Sequence, residues 1–150
     1  MSELSNDAYE RVEDARIALE TLGMDAERSN ERSALVLLAL LRLTPAESWA
    51  EAANPMLGTR AIMDFIRDEY GKDYAPNTRE TVRRFTLHQF VEARLVVQNP
   101  DEPQRPVNSP KWNYQVTAEA LDVLRAYGTD AWQSATDRYL ADLPGLKARY

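Results

Sequence analysis

The chain has 150 residues, 44% of them hydrophobic and 28% charged, with a formal net charge of −6. That is the size and balance of one soluble globular domain, and the acidity argues against a nonspecific polyanion binder. With no cysteine and a single histidine, His88, disulfides, thiolate metal sites, cysteine nucleophiles and multi-histidine metal centres are excluded.

The opening MSELSNDAYERVED has early acids and no apolar h-region, so it is not a secretory signal. Residues Ala8 to Leu22 carry Val12, Ala15, Ile17, Ala18, Leu19 and Leu22 at the spacings of an amphipathic helix. Gly23 ends it where a left-handed residue is needed. Ser29-Asn30-Glu31 offers caps for a second helix through Leu43. Its centre, Ala34 to Leu41, is apolar on every side, which predicts a helix surrounded by others. That run is far too short to span a membrane, and a cytoplasmic protein is expected.

Thr44-Pro45-Ala46-Glu47 reads as a helix start, with a short helix to about Ala52. Asn54-Pro55 breaks it. Gly58-Thr59 opens a helix to about Tyr70, with Ile62, Phe65 and Ile66 on one side and Gly71 as its stop. Asn77 and Glu80 form a capping pair for a helix to about Ala93. Val82, Phe85, Phe90 and Ala93 make its main core face, with Leu87 and Val91 on another side. Its first turns instead present Thr78, Arg79, Thr81, Arg83 and Arg84 outward.

Leu95 to Gln98 is a strand candidate. Asn99 to Lys111 holds four prolines and can be neither helix nor ladder. Asn113 to Val116 is the returning strand. Thr117 caps a helix to about Ala126, closed by Gly128, and Thr129-Asp130 starts a last helix that Pro144 ends. The fold class is mostly α: a winged helix-turn-helix with a small antiparallel β-hairpin wing and extra flanking helices, in one domain over residues 1–150. In that layout the polar-fronted helix, residues 77–93, enters a DNA major groove, and the wing, residues 99–113, lies on the backbone.

The charge pattern fits this. Lys72 to Tyr114 holds seven basic and five acidic residues, a net +2, leaving −8 on the remainder. Of the 18 basic residues 15 are arginine, which suits bidentate recognition; a GC-rich genome explains the bias equally well.

The chain resembles the N-terminal domain of the BsuBI/PstI type II restriction endonucleases. The resemblance is carried by NERSALVLLALL (Asn30 to Leu41), YGKDYAPNTRETVRR (Tyr70 to Arg84), HQFVEARLVVQNPDEPQRPVNSPK (His88 to Lys111) and YQV (Tyr114 to Val116). NTRET followed by RPVNSP is its most specific part, and the likeness covers nearly the whole chain. It implies a helix-turn-helix module that recognises double-stranded DNA at a palindromic site, with a homodimer as a further expectation. It also implies a C-terminal nuclease domain of the PD-(D/E)xK type, with Mg²⁺ as that domain's cofactor. The alternatives are a dimerisation or docking module for the nuclease domain, and a stand-alone regulator of a restriction–modification system.

No catalytic residue, metal ligand or cofactor is assigned to this chain itself. The nuclease motif needs an acid two residues before a lysine. The three lysines, Lys72, Lys111 and Lys147, follow Tyr70, Ser109 and Gly145 at that spacing. His88 has no cysteine or second histidine to pair with and reads as structural or phosphate-facing.

The candidate DNA-contacting residues are Asn77, Thr78, Arg79, Thr81, Arg83 and Arg84 on the helix, and Arg105, Asn108, Ser109 and Lys111 on the wing. Arginines there can donate to phosphate or bidentately to guanine O6 and N7. The plainer alternative is a solvated helix face with Arg84 paired to Glu80 or His88. For the wing it is a rigid loop whose Asn108 satisfies its own backbone. Trp49, Trp112 and Trp132 read as core or interface anchors, Trp112 lying beside the wing.

Overall fold

The computed structural model describes residues 5–25 and 27–149, so the first four residues of the N-terminal stretch lie outside it. Helix α1 (Asn6–Thr21) starts where Ser5 accepts the Ala8 amide. It ends just before Gly23, whose φ of +106° takes the left-handed turn. Helix α2 (Glu31–Leu40) is capped by Asn30, which accepts the Ser33 amide at 2.8 Å. Every residue from Ser33 to Leu41 is buried, so the all-round apolar run does become the central helix. It packs against α1, against α3 (Thr59–Tyr70) and against the helix that follows.

Between α2 and α3 the expected helix is absent. Glu47 does accept the Thr44 amide at 3.0 Å, but a second acid, Glu51, takes the Ser48 amide at 2.8 Å and closes a new turn. Only the 3₁₀ turn Trp49–Glu51 results. Starting a helix fixes several dihedrals for one bond. Here buried Trp49 and the bond from the Ala53 amide to the Leu41 carbonyl hold the segment to the core before a helix can grow.

Helix α4 spans residues 78–92 and has three parts: Thr78–Thr81, a π segment Val82–Leu87, and His88–Glu92. Its start differs from expectation. Asn77 has helical dihedrals and makes no side-chain cap; the Thr78 and Arg79 amides bond instead to the carbonyls of Ala75 and Pro76. The π segment also changes the core face. A five-residue repeat brings Val82 over Leu87, and both are fully buried together with Thr86. Phe85, expected in the core, is turned out and 57% exposed. Arg32 of α2 reinforces this register by donating from Nε to Thr86 Oγ1 at 3.2 Å.

Strand β1 (Val96–Gln98) follows a left-handed Arg94 and pairs antiparallel with β2 (Tyr114–Val116), Val97 opposite Gln115. Tyr114 also exchanges both backbone bonds with Leu57 at 2.9 Å, so the stretch before α3 adds a one-residue third strand. The sheet thereby ties the entry of α3 to the exit of α4. Helix α5 (Ala118–Arg125) is capped by Thr117 as expected. Helix α6 (Trp132–Arg149) runs through Pro144, which was expected to end it. Proline there removes one donor at an exposed position, flanked by exposed Asp142 and Gly145, and buried Leu146 holds the last turn on the core.

The π register makes a paired prediction. Phe90→Ala, at a fully buried position, is expected to cost about 3–5 kcal/mol in denaturant unfolding. Phe85→Ala is expected to stay within about 0.5 kcal/mol of the parent. An uninterrupted α-helix, with Phe85 in the core, would make both costly.

Candidate nucleic-acid interface

The loop between the strands is built around one buried arginine. The Arg105 side chain is only 6% exposed. It donates in bidentate fashion to Asp101, Nη1 to Oδ1 at 3.1 Å and Nη2 to Oδ2 at 2.9 Å. Nη1 also reaches Asn99 Oδ1 at 3.1 Å and the Lys111 carbonyl at 2.9 Å, and Glu102 lies 3.3 Å from Nη2. Asn99, held in the left-handed region at φ +49°, accepts the Asn113 amide on the same Oδ1 at 3.0 Å. Asn113 Nδ2 in turn donates to Asp101 Oδ1 at 3.1 Å. Hydrogen bonds from Arg105 and Asn113 hold the Asp101 carboxyl well below its ordinary range, at about 2.

This network corrects one expectation. Arg105 is not an outward donor on the wing; its guanidinium is consumed in shaping the loop. Ser109 is also partly committed, since its Oγ accepts the Lys111 amide at 3.1 Å. Asn108 and Lys111 are exposed on the loop, as is Val107, 76% exposed at its tip.

The loop closes back toward α4. Between them lies a cleft of about 300 Å³, bordered by Arg79, Glu80 and Arg83 of α4, by Asn108 and Ser109 of the wing, and by Arg60 at the start of α3. The structure thus brings together four of the expected residues: Arg79, Arg83, Asn108 and Ser109. A second, more open concavity next to it includes Arg84, His88 and Gln98 and shares Arg83, Val107 and Trp112. Asn77, Thr78, Thr81 and Lys111 line neither, although Asn77 and Lys111 are exposed.

On the helix face, Arg83 Nη2 and Arg84 Nε both donate to Glu80 Oε1, at 2.7 and 2.6 Å. Those bonds lower the Glu80 pKa, and the hydrogen bond to Glu80 raises that of Arg83. His88 Nε2 lies 2.8 Å from Glu92 Oε1 on the exposed side. The Arg79 guanidinium has no bonded partner among the described residues.

Two contributors were not singled out from sequence. Arg60 is exposed and enters the cleft only because the Leu57–Tyr114 bridge brings the α3 entry beside the wing. Gly58 eases that approach, because a Cβ there would meet the Trp112 carbonyl oxygen at a tight 3.2 Å. The signal available in the sequence was the Gly-Thr-Arg run at a helix start.

Elsewhere, a concavity between α5 and α6 is bordered by Glu119, Asp122, Asp142 and Arg138. Three carboxylates against one guanidinium suit a phosphate backbone poorly. Among the described residues no three His, Asp or Glu side chains cluster so as to hold a metal ion. No described helix is long and apolar enough to cross a membrane.

Known proteins resemble this chain in sequence and in fold. A family model described as the BsuBI/PstI restriction endonuclease HTH domain matches residues 9–148. The type II restriction enzyme BsuBI of Bacillus subtilis is 47% identical over 142 residues, covering 95% of this chain and 45% of that protein. The type II restriction enzyme AplI of Arthrospira platensis is 36% identical over 137 residues, covering 91% and 42%. The solved structure of SdaI restriction endonuclease superimposes with a TM-score of 0.84 at 34% identity, covering 98% of this chain and 47% of that one. The chain therefore spans less than half the length of each of these relatives.

The wing network carries its own test. The Asp101 pKa is lower folded than its ordinary 3.8, so its stabilising contribution is complete above about pH 4 and is lost as pH falls toward 2. An NMR titration of the Asp101 carboxyl is expected to give a midpoint near 2. In Arg105→Ala the midpoint should climb toward 3.8, with loss of hydrogen-exchange protection at Asn113 while α2 stays protected. A midpoint indifferent to the Arg105 substitution would remove the network from the loop's stability.

Proposed function

Because the chain belongs to the BsuBI/PstI restriction endonuclease HTH-domain family, we propose that it is the DNA-recognition module of a type II restriction endonuclease. In this reading residues 77–93 enter the major groove and the 99–113 wing lies along the backbone. The observation that carries it is the cleft in which Arg79 and Arg83 of α4 face Asn108 and Ser109 of the wing, with Arg60 at its end. Duplex DNA offers matching chemistry: phosphates for exposed guanidinium and amide donors, and base edges for an arginine in the groove. Arg105 is left out of the contact set and acts as the strut that holds Asn108 and Ser109 in place.

The same reading assigns strand cleavage and its Mg²⁺ to a nuclease domain that the longer relatives would carry beyond the matched region, and places the protein in the cytoplasm with the DNA it meets. A palindromic site would be met by two copies. Docking to the nuclease half or to a second copy has its own support in Tyr9 and Ile17, which are 57% and 50% exposed on α1 and do not line the arginine cleft.

Gel-shift titration of duplex DNA at several salt concentrations tests the assignment. Arg79→Ala combined with Arg83→Ala is expected to weaken binding by about tenfold or more and to flatten the salt slope by about 0.9 for each phosphate that is no longer neutralised. Equal affinities and slopes would take both arginines out of the interface.

A further inference from the structure

Glu80 stands at the centre of the arginine face, and the DNA-recognition role as stated gives it no part. A carboxylate aimed at a polyanion costs affinity, so its place needs a reason. Stability does not supply one, because an exposed ion pair on a helix surface contributes little to folding. It does not serve as a helix cap either, since the first amides of α4 bond to Ala75 and Pro76.

Its geometry supplies the reason. One oxygen, Oε1, accepts both Arg83 Nη2 at 2.7 Å and Arg84 Nε at 2.6 Å. Arginine has many rotamers, and fixing them on binding is a cost that preorganisation removes in advance. The bond also selects which donors remain. With Nε of Arg84 taken, its two terminal nitrogens stay available side by side; Arg83 Nη2 gives Glu80 one hydrogen, and its second still makes an adjacent pair with Nη1 or Nε. Two adjacent donors are what a guanine edge accepts through O6 and N7. Both arginines project from the first turns of α4, the part of such a helix that meets base edges.

We infer that Glu80 is a positioning residue for sequence discrimination: it presets Arg83 and Arg84 for guanine edges, and its charge weakens binding to duplexes where those arginines find no such partner. This role rests on the proposed DNA-recognition function. Glu80 would lower affinity for arbitrary DNA and widen the gap between cognate and arbitrary duplexes.

The test works without the recognised sequence being known. A randomised duplex library is enriched on the wild-type chain, and the best-bound duplex and a scrambled duplex are then titrated against wild type, Glu80→Gln and Glu80→Asp. Glu80→Gln removes the charge. It is expected to tighten binding to the scrambled duplex, steepen its salt slope by up to about 0.9, and shrink the discrimination ratio about tenfold. Glu80→Asp keeps the charge but is too short to reach both arginines; its scrambled-duplex affinity should match wild type while the ratio shrinks about tenfold. A wild-type ratio retained by Glu80→Asp overturns the positioning role. Wild-type binding without any enrichment also overturns it and leaves the DNA-binding reading standing, whereas no wild-type binding to any duplex overturns both.

Discussion

A helix that is apolar on every side has to be wrapped, and the fold follows from wrapping α2. Ser33 to Leu41 expose almost nothing to solvent, so α1, α3 and the middle of α4 all lean on one cylinder. Burial of a large aliphatic side chain is worth roughly 1.5–3 kcal/mol, and α2 contributes Leu35, Leu37, Leu38 and Leu40 in a single run. The consequence reaches the candidate site. The face of α4 that packs on α2 (Val82, Thr86, Leu87) is fixed by that contact, and the opposite face with Arg79, Arg83 and Arg84 is fixed with it. The bond from Arg32 to Thr86 adds a directional constraint to a contact that is otherwise only apolar.

The wing is held by different physics. Thirteen residues, 99–111, with four prolines cannot form a ladder, and the loop has little apolar core of its own. It is ordered instead by a polar cluster in which Arg105, Asp101, Asn99 and Asn113 hydrogen-bond to one another, with Asn113 Oδ1 the one oxygen of that cluster left buried without a partner among the described residues. Such a network is worth having only when nearly every member is paired. Here it places Asn108 and Ser109 opposite the arginines of α4, while the Leu57–Tyr114 bridge brings Arg60 to the same cleft. Two kinds of order, apolar around α2 and polar inside the wing, thus converge on one surface.

The net charge of −6 and a DNA-facing role are reconciled by distribution rather than by total. Arg79 and Arg83 of α4 gather with Arg60 at one cleft, whereas the α5–α6 concavity is acidic. In the proposed role, phosphate attraction is local and oriented, and the acidic remainder discourages binding in any other pose. The proposed role of Glu80 applies the same principle on the helix face, tempering the field of the arginines it holds.

The elements set by local chemistry were legible in the residues: the caps at Asn30 and Thr117, the left-handed stops at Gly23 and Gly71, the enclosed helix α2 and the proline-interrupted hairpin. So was membership of the family, because strings such as NTRET and RPVNSP are unusual enough to carry it. What the residues alone misassigned depended on partners distant in sequence. The turn at Trp49 was held to the core before a helix formed, and α6 continued past Pro144 because Leu146 packs beyond it. Phe85 faced outward because packing on α2 favoured a five-residue repeat, and Arg105 turned inward because Asn99, Asp101 and Lys111 surrounded it. By itself the sequence determined which segments could be helix, hairpin or core, since those depend on neighbours a few positions away. Which arginines face outward and which serve the scaffold was decided only by the tertiary structure, because a guanidinium goes to whichever acceptors the fold brings within reach.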